Sequence, residues 1–248
     1  MAPDRDRGRR DLEEEVARRT AQLEDANARL RAEIETREQG AAYREAIAVL
    51  RQRVWAMERG GDLPAVVDAV KVCLQTASVD FAGYGVNLVE QDEAEDRLTQ
   101  YQRGPQGSHF YRVRNVSTDS LVSRFWRQGR IVYRRDLERE DPYGELAAWA
   151  SQGPAPRRSV VDVPFAHGTL GINSLRPDAF SEADLRFFEE VGEVLEEAMR
   201  RWSDLEALEA SNAQLARQAE ADRTRAEELA RATALSEEKD RLLATFHE

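Results

Sequence analysis

Few side chains in this sequence are suited to covalent or metal chemistry. Three histidines (His109, His167 and His247) and one cysteine (Cys73) are the soft ligands and nucleophiles among 248 residues. One cysteine excludes an intramolecular disulfide and any cysteine-based metal cluster. Cys73 falls in an apolar-periodic run, Leu63 to Leu74, where its expected role is that of a small buried hydrophobe. His167 sits in a turn, Ala166-His167-Gly168, and His109 in a loop, so no zinc triad is expected and no metal site or cofactor is assigned. ATP chemistry needs a glycine-rich cradle of backbone N–H groups, and Gly83-Tyr84-Gly85 is too short to be one. The chain alone is therefore not expected to transfer phosphate from ATP. Two sets of residues remain. Asn87, Trp126, Tyr133, Trp149 and Asn173 would line a pocket for a small-molecule ligand if the segments between them fold over a sheet, although filling core is the commoner use of such aromatics. The other is His247, followed by Glu248, which taken alone reads as an ordinary exposed histidine near a helix end.

The elements that must position these residues follow from composition. Charged residues make up 33% of the chain, yet it has only 14 glycines and 8 prolines, so its polarity is that of solvated helices rather than of a breaker-rich disordered chain. The net charge of -11 argues against a nucleic-acid partner, since a phosphate backbone would repel it. No stretch approaches the 18 apolar residues of a membrane span, and Met1-Ala2-Pro3-Asp4-Arg5 has no hydrophobic signal core, so a cytoplasmic location is expected.

Residues 1–10 read as a flexible lead. From Asp11 to about Met57 the seam Val16, Thr20, Leu23, Asn27, Leu30, Ile34, Arg37, Ala41 alternates spacings of four and three, the pattern of a left-handed coiled coil. Asn27 in the seam costs stability but fixes register and favours two strands. Gly40 is expected to interrupt this helix, and Tyr43, Ile47, Leu50, Val54 and Met57 then form a broader apolar face. After Gly60-Gly61, Asp62 is expected to cap a second helix, Leu63 to about Thr76. Period-two patterning marks strands at Tyr84–Val89, Leu98–Gln102, Arg130–Arg134, Ser159–Phe165 and Thr169–Leu175. A helix is expected from Ser120 to Gln128, followed by a loop-rich stretch from Asp136 to Arg158. Ser181-Glu182-Ala183-Asp184 opens a final helix by a capping-box-like start. Its broad face, Phe187 to Trp202, narrows to a second seam through Leu205, Leu208, Asn212, Leu215, Ala219, Asp222, Ala226 and Leu229. Polar seam members and a phase slip before Leu235 let such a coil adopt more than one register.

Three stretches carry a family resemblance. Ser159-Val160-Val161-Asp162-Val163-Pro164-Phe165, Gly168-Thr169-Leu170-Gly171-Ile172-Asn173-Ser174-Leu175 and Asp178-Ala179-Phe180-Ser181-Glu182-Ala183-Asp184-Leu185 resemble the terminal part of GAF domains. The resemblance implies a central antiparallel sheet, helices on one face that often dimerise, and a pocket on the other. Covalent bilin is not expected, because Cys73 lies on the wrong element. GAF-type methionine sulfoxide reductases cycle more than one cysteine, and this chain has one. Val16-Ala17-Arg18-Arg19-Thr20-Ala21-Gln22-Leu23 resembles the linker helices of sensor histidine kinases, and Leu242-Leu243-Ala244-Thr245-Phe246-His247-Glu248 resembles the start of their phosphoacceptor box. That likeness implies His247 as phosphoacceptor, Glu248 as its proton-handling partner and a response regulator as partner.

The expected fold is therefore α+β: a GAF-like antiparallel sheet with flanking helices (59–201), between parallel coiled-coil helices (11–58 and 202–238), with 239–248 opening a phosphoacceptor segment. The expected function is that of a homodimeric sensory and signal-transmitting module of a two-component sensor histidine kinase. The alternatives are a ligand-free GAF dimerisation scaffold, or the same module upstream of a nucleotide cyclase or a transcriptional activator.

Overall fold

A computed structural model describes residues 3–91, 95–103, 109–150 and 157–245. Helix α1 spans Pro3–Trp55. It thus starts earlier than the flexible lead expected over 1–10: Pro3 opens it with the φ a first turn requires, and no second proline follows before Pro64. The helix also continues through Gly40, because one unfavourable propensity of about 1 kcal/mol cannot break a helix anchored by the buried Ala46, Ile47, Leu50 and Val54. A 3-10 turn at Gly60–Asp62 leads into α2, Leu63–Thr76. Asp62 does not cap α2 through its side chain. Its carboxylate turns back and accepts from the Glu58 and Arg59 N–H groups at 2.9 and 3.1 Å, closing the 3-10 turn.

Six strands follow: β1 (Gly83–Glu90), β2 (Glu95–Arg103), β3 (His109–Ser117), β4 (Val132–Arg134), β5 (Ser159–Phe165) and β6 (Gly168–Ser174). They form one sheet in the order β3-β2-β1-β6-β5-β4, with every pairing antiparallel. Strand β3 lies in a segment that the pattern left without a strand. Helix α3 (Leu121–Gln128) starts at Ser120, whose hydroxyl accepts from Ser123 N–H at 3.3 Å. Helix α4 (Glu145–Ala150) falls within the expected loop. Helix α5 runs unbroken for 64 residues, Glu182–Thr245. Its start has the expected reciprocal cap: Ser181 Oγ accepts from Asp184 N–H at 3.2 Å, and Asp184 Oδ2 accepts from Ser181 N–H at 2.8 Å.

Strand alternation sorts the sheet's residues onto two faces. Tyr84, Val86, Leu88, Val161, Val163, Leu170 and Ile172 point to one face, and α1, α2 and α5 cover them. Phe187 and Phe188 of α5, Leu50 of α1 and Met57 just after α1 are almost fully buried there. Burying each such side chain contributes about 1.5–3 kcal/mol. The β5–β6 hairpin closes through Ala166-His167 with Phe165 opposite Gly168. A Cβ at Gly168 would sit 1.8 Å from the Asn87 carbonyl oxygen, so only glycine lets β1 approach this corner.

Candidate functional site

Two sites follow from this frame: the polar face of the sheet, and the junction where α1 grips α5.

On the polar face, cross-strand register aligns side chains in rows. One row is Gln100, Asn87 and Thr169. Gln100 Nε2 donates to Asn87 Oδ1 at 2.9 Å, and Asn87 Nδ2 donates to Thr169 Oγ1 at 3.1 Å. The next row runs Gln102, Gly85, Gly171, Asp162, Val132, with two glycines side by side at the sheet's centre. At the far edge Arg134 is buried to 4% exposure among acids. Its Nε and Nη2 donate to the Glu145 carboxylate at 2.7 and 3.0 Å, and Nη2 donates to Asp162 at 2.6 Å. The guanidinium also lies 5.0 Å from the centre of the Phe125 ring.

This triad joins β4, β5 and α4. Burial works against the charged Arg134, but Asp162 and Glu145 outweigh it and raise its pKa above the ordinary arginine value. Burial likewise pushes the Glu145 carboxyl up, although Arg134 pulls it down. Arg157 faces the same two carboxylates, and burial lowers its pKa. Two cations and two anions therefore balance. Among the described residues no buried side-chain N or O atom lacks a hydrogen-bond partner.

Of the residues expected to line a pocket, Asn87 and Asn173 lie on this face. Trp126 covers it from α3, donating its indole N–H to the carbonyls of Phe165 and Ala166 at 3.1 and 3.3 Å. Tyr133 does not belong to it. It pairs with Val161 on the opposite face, packs on Phe180 and accepts from Phe180 N–H at 3.0 Å, so it is a core residue. The Trp149 side chain lies outside the described residues. The Arg134–Glu145–Asp162 triad is not among the expected site residues; its sequence signal is one aspartate inside the apolar strand Ser159–Phe165.

At the junction, α1 and α5 run side by side in the same direction. Tyr43 stacks on Phe187 with centroids 4.6 Å apart, and its hydroxyl donates to Asp184 Oδ1 at 2.9 Å. Burial, reinforced by Asp184, pushes the Tyr43 pKa up to about 12, so the phenol remains a donor. One domain length further on, Arg201 donates from Nε and Nη2 to the Met57 carbonyl at 3.2 and 2.7 Å, and its guanidinium lies 5.6 Å from the Trp55 ring centre. Gly60 N–H donates to Glu209 at 3.3 Å, and a Cβ there would meet Glu206 Cγ at 2.6 Å. Helix α5 is thus clamped at both ends of the domain and leaves it after these contacts.

Along α1, Leu23, Asn27, Leu30 and Ile34 are exposed on one stripe; Val16 lies on the same helix, its side chain outside the described residues. On α5, Leu205 is half-buried against the core, and Leu208, Asn212, Leu215 and Leu229 are exposed. His247 and Glu248 lie outside the described residues. Cys73 is fully buried on α2, and burial raises its thiol to about 12. His167 is exposed in its turn. No group of three or more metal-ligating side chains occurs among the described residues, and no described helix is long and apolar enough to cross a membrane.

No family model and no curated protein matches the chain. Solved structures are similar to it. The free methionine-R-sulfoxide reductase of Neisseria meningitidis is 18% identical, over 65% of this chain and 90% of that one, with a TM-score of 0.48. The GAF domain of an Acinetobacter phosphoenolpyruvate-protein phosphotransferase is 14% identical, over 64% and 92%, at 0.45. The GAF domain of a two-component sensor histidine kinase from Bacillus halodurans is 16% identical, over 54% and 92%, at 0.38. The fold is GAF-like: a six-stranded antiparallel sheet with flanking helices, bracketed by a long N-terminal and a long C-terminal helix.

Proposed function

We propose that this chain is the homodimeric sensory and signal-transmitting module of a cytoplasmic two-component sensor histidine kinase. The state of its GAF-like domain is relayed along α5 to a phosphoacceptor at His247, with Glu248 managing the imidazole proton and a response regulator as the downstream partner. One observation carries the reading: the helix that supplies Phe187, Phe188 and Val191 to the domain core is the same unbroken helix that leaves the domain and runs to Thr245. A helix transmits rotation and translation along its axis, so a change in packing against the sheet moves the far end. The exposed stripes Leu23–Leu30–Ile34 and Leu208–Leu215–Leu229 supply apolar seams for a parallel partner copy.

The test is autophosphorylation of the full-length protein. Incubation with labelled ATP should yield acid-labile phosphate that His247→Gln abolishes, while Arg201→Ala, which loosens the clamp, should alter its rate. Label retained in the His247→Gln variant would reject the assignment. The second reading, a scaffold without a ligand, is favoured by the self-satisfied polar face. A metabolite panel that leaves the melting temperature unchanged would support that scaffold over a ligand sensor.

A further inference from the structure

The sheet ends in two edge strands of unequal kind. Strand β4 has three residues, whereas β3 has nine, in unbroken register with β2 from Glu95↔Ser117 to Arg103↔His109. Shortness, proline and bulges are the usual means of blunting an edge, and β3 uses none of them. Its outward backbone groups follow from the ladder. Val89 N–H donates to the His167 carbonyl at 2.9 Å, so this position of β1 bonds towards β6. Antiparallel strands alternate between bonding one neighbour and the other. Carried across the register, that alternation makes Arg112 and Arg114 bond β2, while Tyr111, Val113 and Asn115 aim their N–H and C=O groups out of the sheet.

The same alternation sorts the side chains. Arg112 stands beside Gln100, at the end of the row that continues through Asn87 to Thr169, and Arg114 stands beside Leu98. Both arginines are exposed, and neither has an acidic partner among the described residues. Burial and the neighbouring Arg112 charge lower the Arg114 pKa. On the other face Tyr111 and Val113 stand beside Tyr101 and Thr99 and are 62% and 40% exposed. A second copy of β3 fits this edge poorly. Antiparallel pairing centred on Val113 would set Arg112 of each copy against Arg114 of the other, and like charges directly opposite destabilise a strand pair. We propose that β3 accepts an added strand from an acidic partner protein, an extended segment in which carboxylates alternate with apolar side chains. The carboxylates fall beside Arg112 and Arg114, and the apolar side chains fall beside Tyr111 and Val113. The outward backbone groups supply affinity for any extended chain, and the two rows select the partner. The charge that keeps copies of this chain apart thus favours the opposite charge. A nucleic acid is the poorer fit, because it brings no peptide groups to the edge and meets a chain of net charge -11. The proposal is independent of helix pairing and of His247.

The full chain is titrated against a labelled, end-capped peptide that alternates glutamate with valine and is as long as β3, with fluorescence anisotropy as the readout. It should bind saturably, and a peptide of the same composition with its glutamates in one block should bind about tenfold more weakly or worse. Arg112→Glu with Arg114→Glu should weaken the alternating peptide by about tenfold or more and should prefer a lysine–valine peptide instead. Val113→Pro removes an outward N–H in the middle of the edge and leaves the bonds to β2 in place, so it should weaken binding to a similar degree. If that variant folds poorly, methylating alternate amides of the peptide removes the same bonds against the unaltered chain. No saturable binding up to about 1 mM would overturn the proposal. So would binding that survives both Val113→Pro and amide methylation, which would show a charge patch without strand addition. A labelled single-stranded oligonucleotide that binds more tightly than the peptide, and is lost in R112E/R114E, would assign the edge to phosphate and overturn it as well.

Discussion

Replacing Arg134 by methionine removes a guanidinium whose side chain is 3% exposed and strands two carboxylates, Glu145 at 3% and Asp162 at 10%. Three charge-assisted hydrogen bonds to them are lost. Breaking a buried pair by deleting one partner costs about 3–5 kcal/mol, because the remaining charge stays desolvated. Here the lower end applies, since Arg157 faces the same carboxylates. For a protein of this size about 3 kcal/mol corresponds to a fall in Tm of roughly 6–12 °C. Urea unfolding and calorimetry would measure both. The triple variant R134M/E145L/D162V exchanges the whole triad for apolar groups and should recover most of the loss, as replacing a buried ion cluster does elsewhere. The sign with pH is also fixed. Burial already raises the Glu145 carboxyl, and losing Arg134 removes what pulls it down. A carboxyl raised in the folded state adds stability that is present at low pH and lost as pH rises through the folded value. The deficit of the methionine variant should therefore narrow as pH falls from neutrality. A single variant within about 1 kcal/mol of wild type, a triple variant as unstable as the single, or a deficit that widens on acidification would refute the assignment of this cluster.

Three further outcomes are expected. Ser181→Ala removes the acceptor for Asp184 N–H at the start of α5 and should cost about 1 kcal/mol in urea unfolding. Cys73, buried with its thiol raised to about 12, should react with an aromatic disulfide reagent only as fast as the protein opens, and stoichiometrically in urea. Gly168→Ala should destabilise by several kcal/mol, read as loss of soluble folded protein, because the added Cβ meets backbone rather than a yielding side chain.

The strands of the core and the long helices were legible because their signals are local. Ser159–Phe165 is an apolar run bounded by turns, and α5 carries its own cap and a continuous apolar face. Strand β3 was not legible. Tyr111 and Val113 alternate with Arg112 and Arg114, but on this edge strand both sets are exposed, so the pattern lacks a buried side that would mark it as a strand. Helix α4 follows Pro142 and Gly144, which read as loop. Its start is secured by Asp141, which accepts from Glu145 and Leu146 N–H at 2.8 and 2.9 Å. The triad escaped for a different reason: Arg134 finds Glu145 and Asp162 only through strand pairing and the placement of α4, and no spacing along the chain encodes that meeting. Tyr133 was misplaced because a three-residue strand leaves its two faces ambiguous until the partner register with β5 is set.

Relay along α5 in the proposed module requires two copies lying parallel along both long helices. Cysteine placed at Asn27, and separately at Asn212, tests this directly, each with an outward control at Ala32 or Ala210, which are exposed on the far side of their helices. Parallel seams bring identical residues of two chains to within about 10 Å, so mild oxidation should join both seam variants into disulfide-linked dimers rapidly and leave the controls largely unlinked. Seam cysteines that link no faster than the controls, in a chain sedimenting as a monomer, would contradict it.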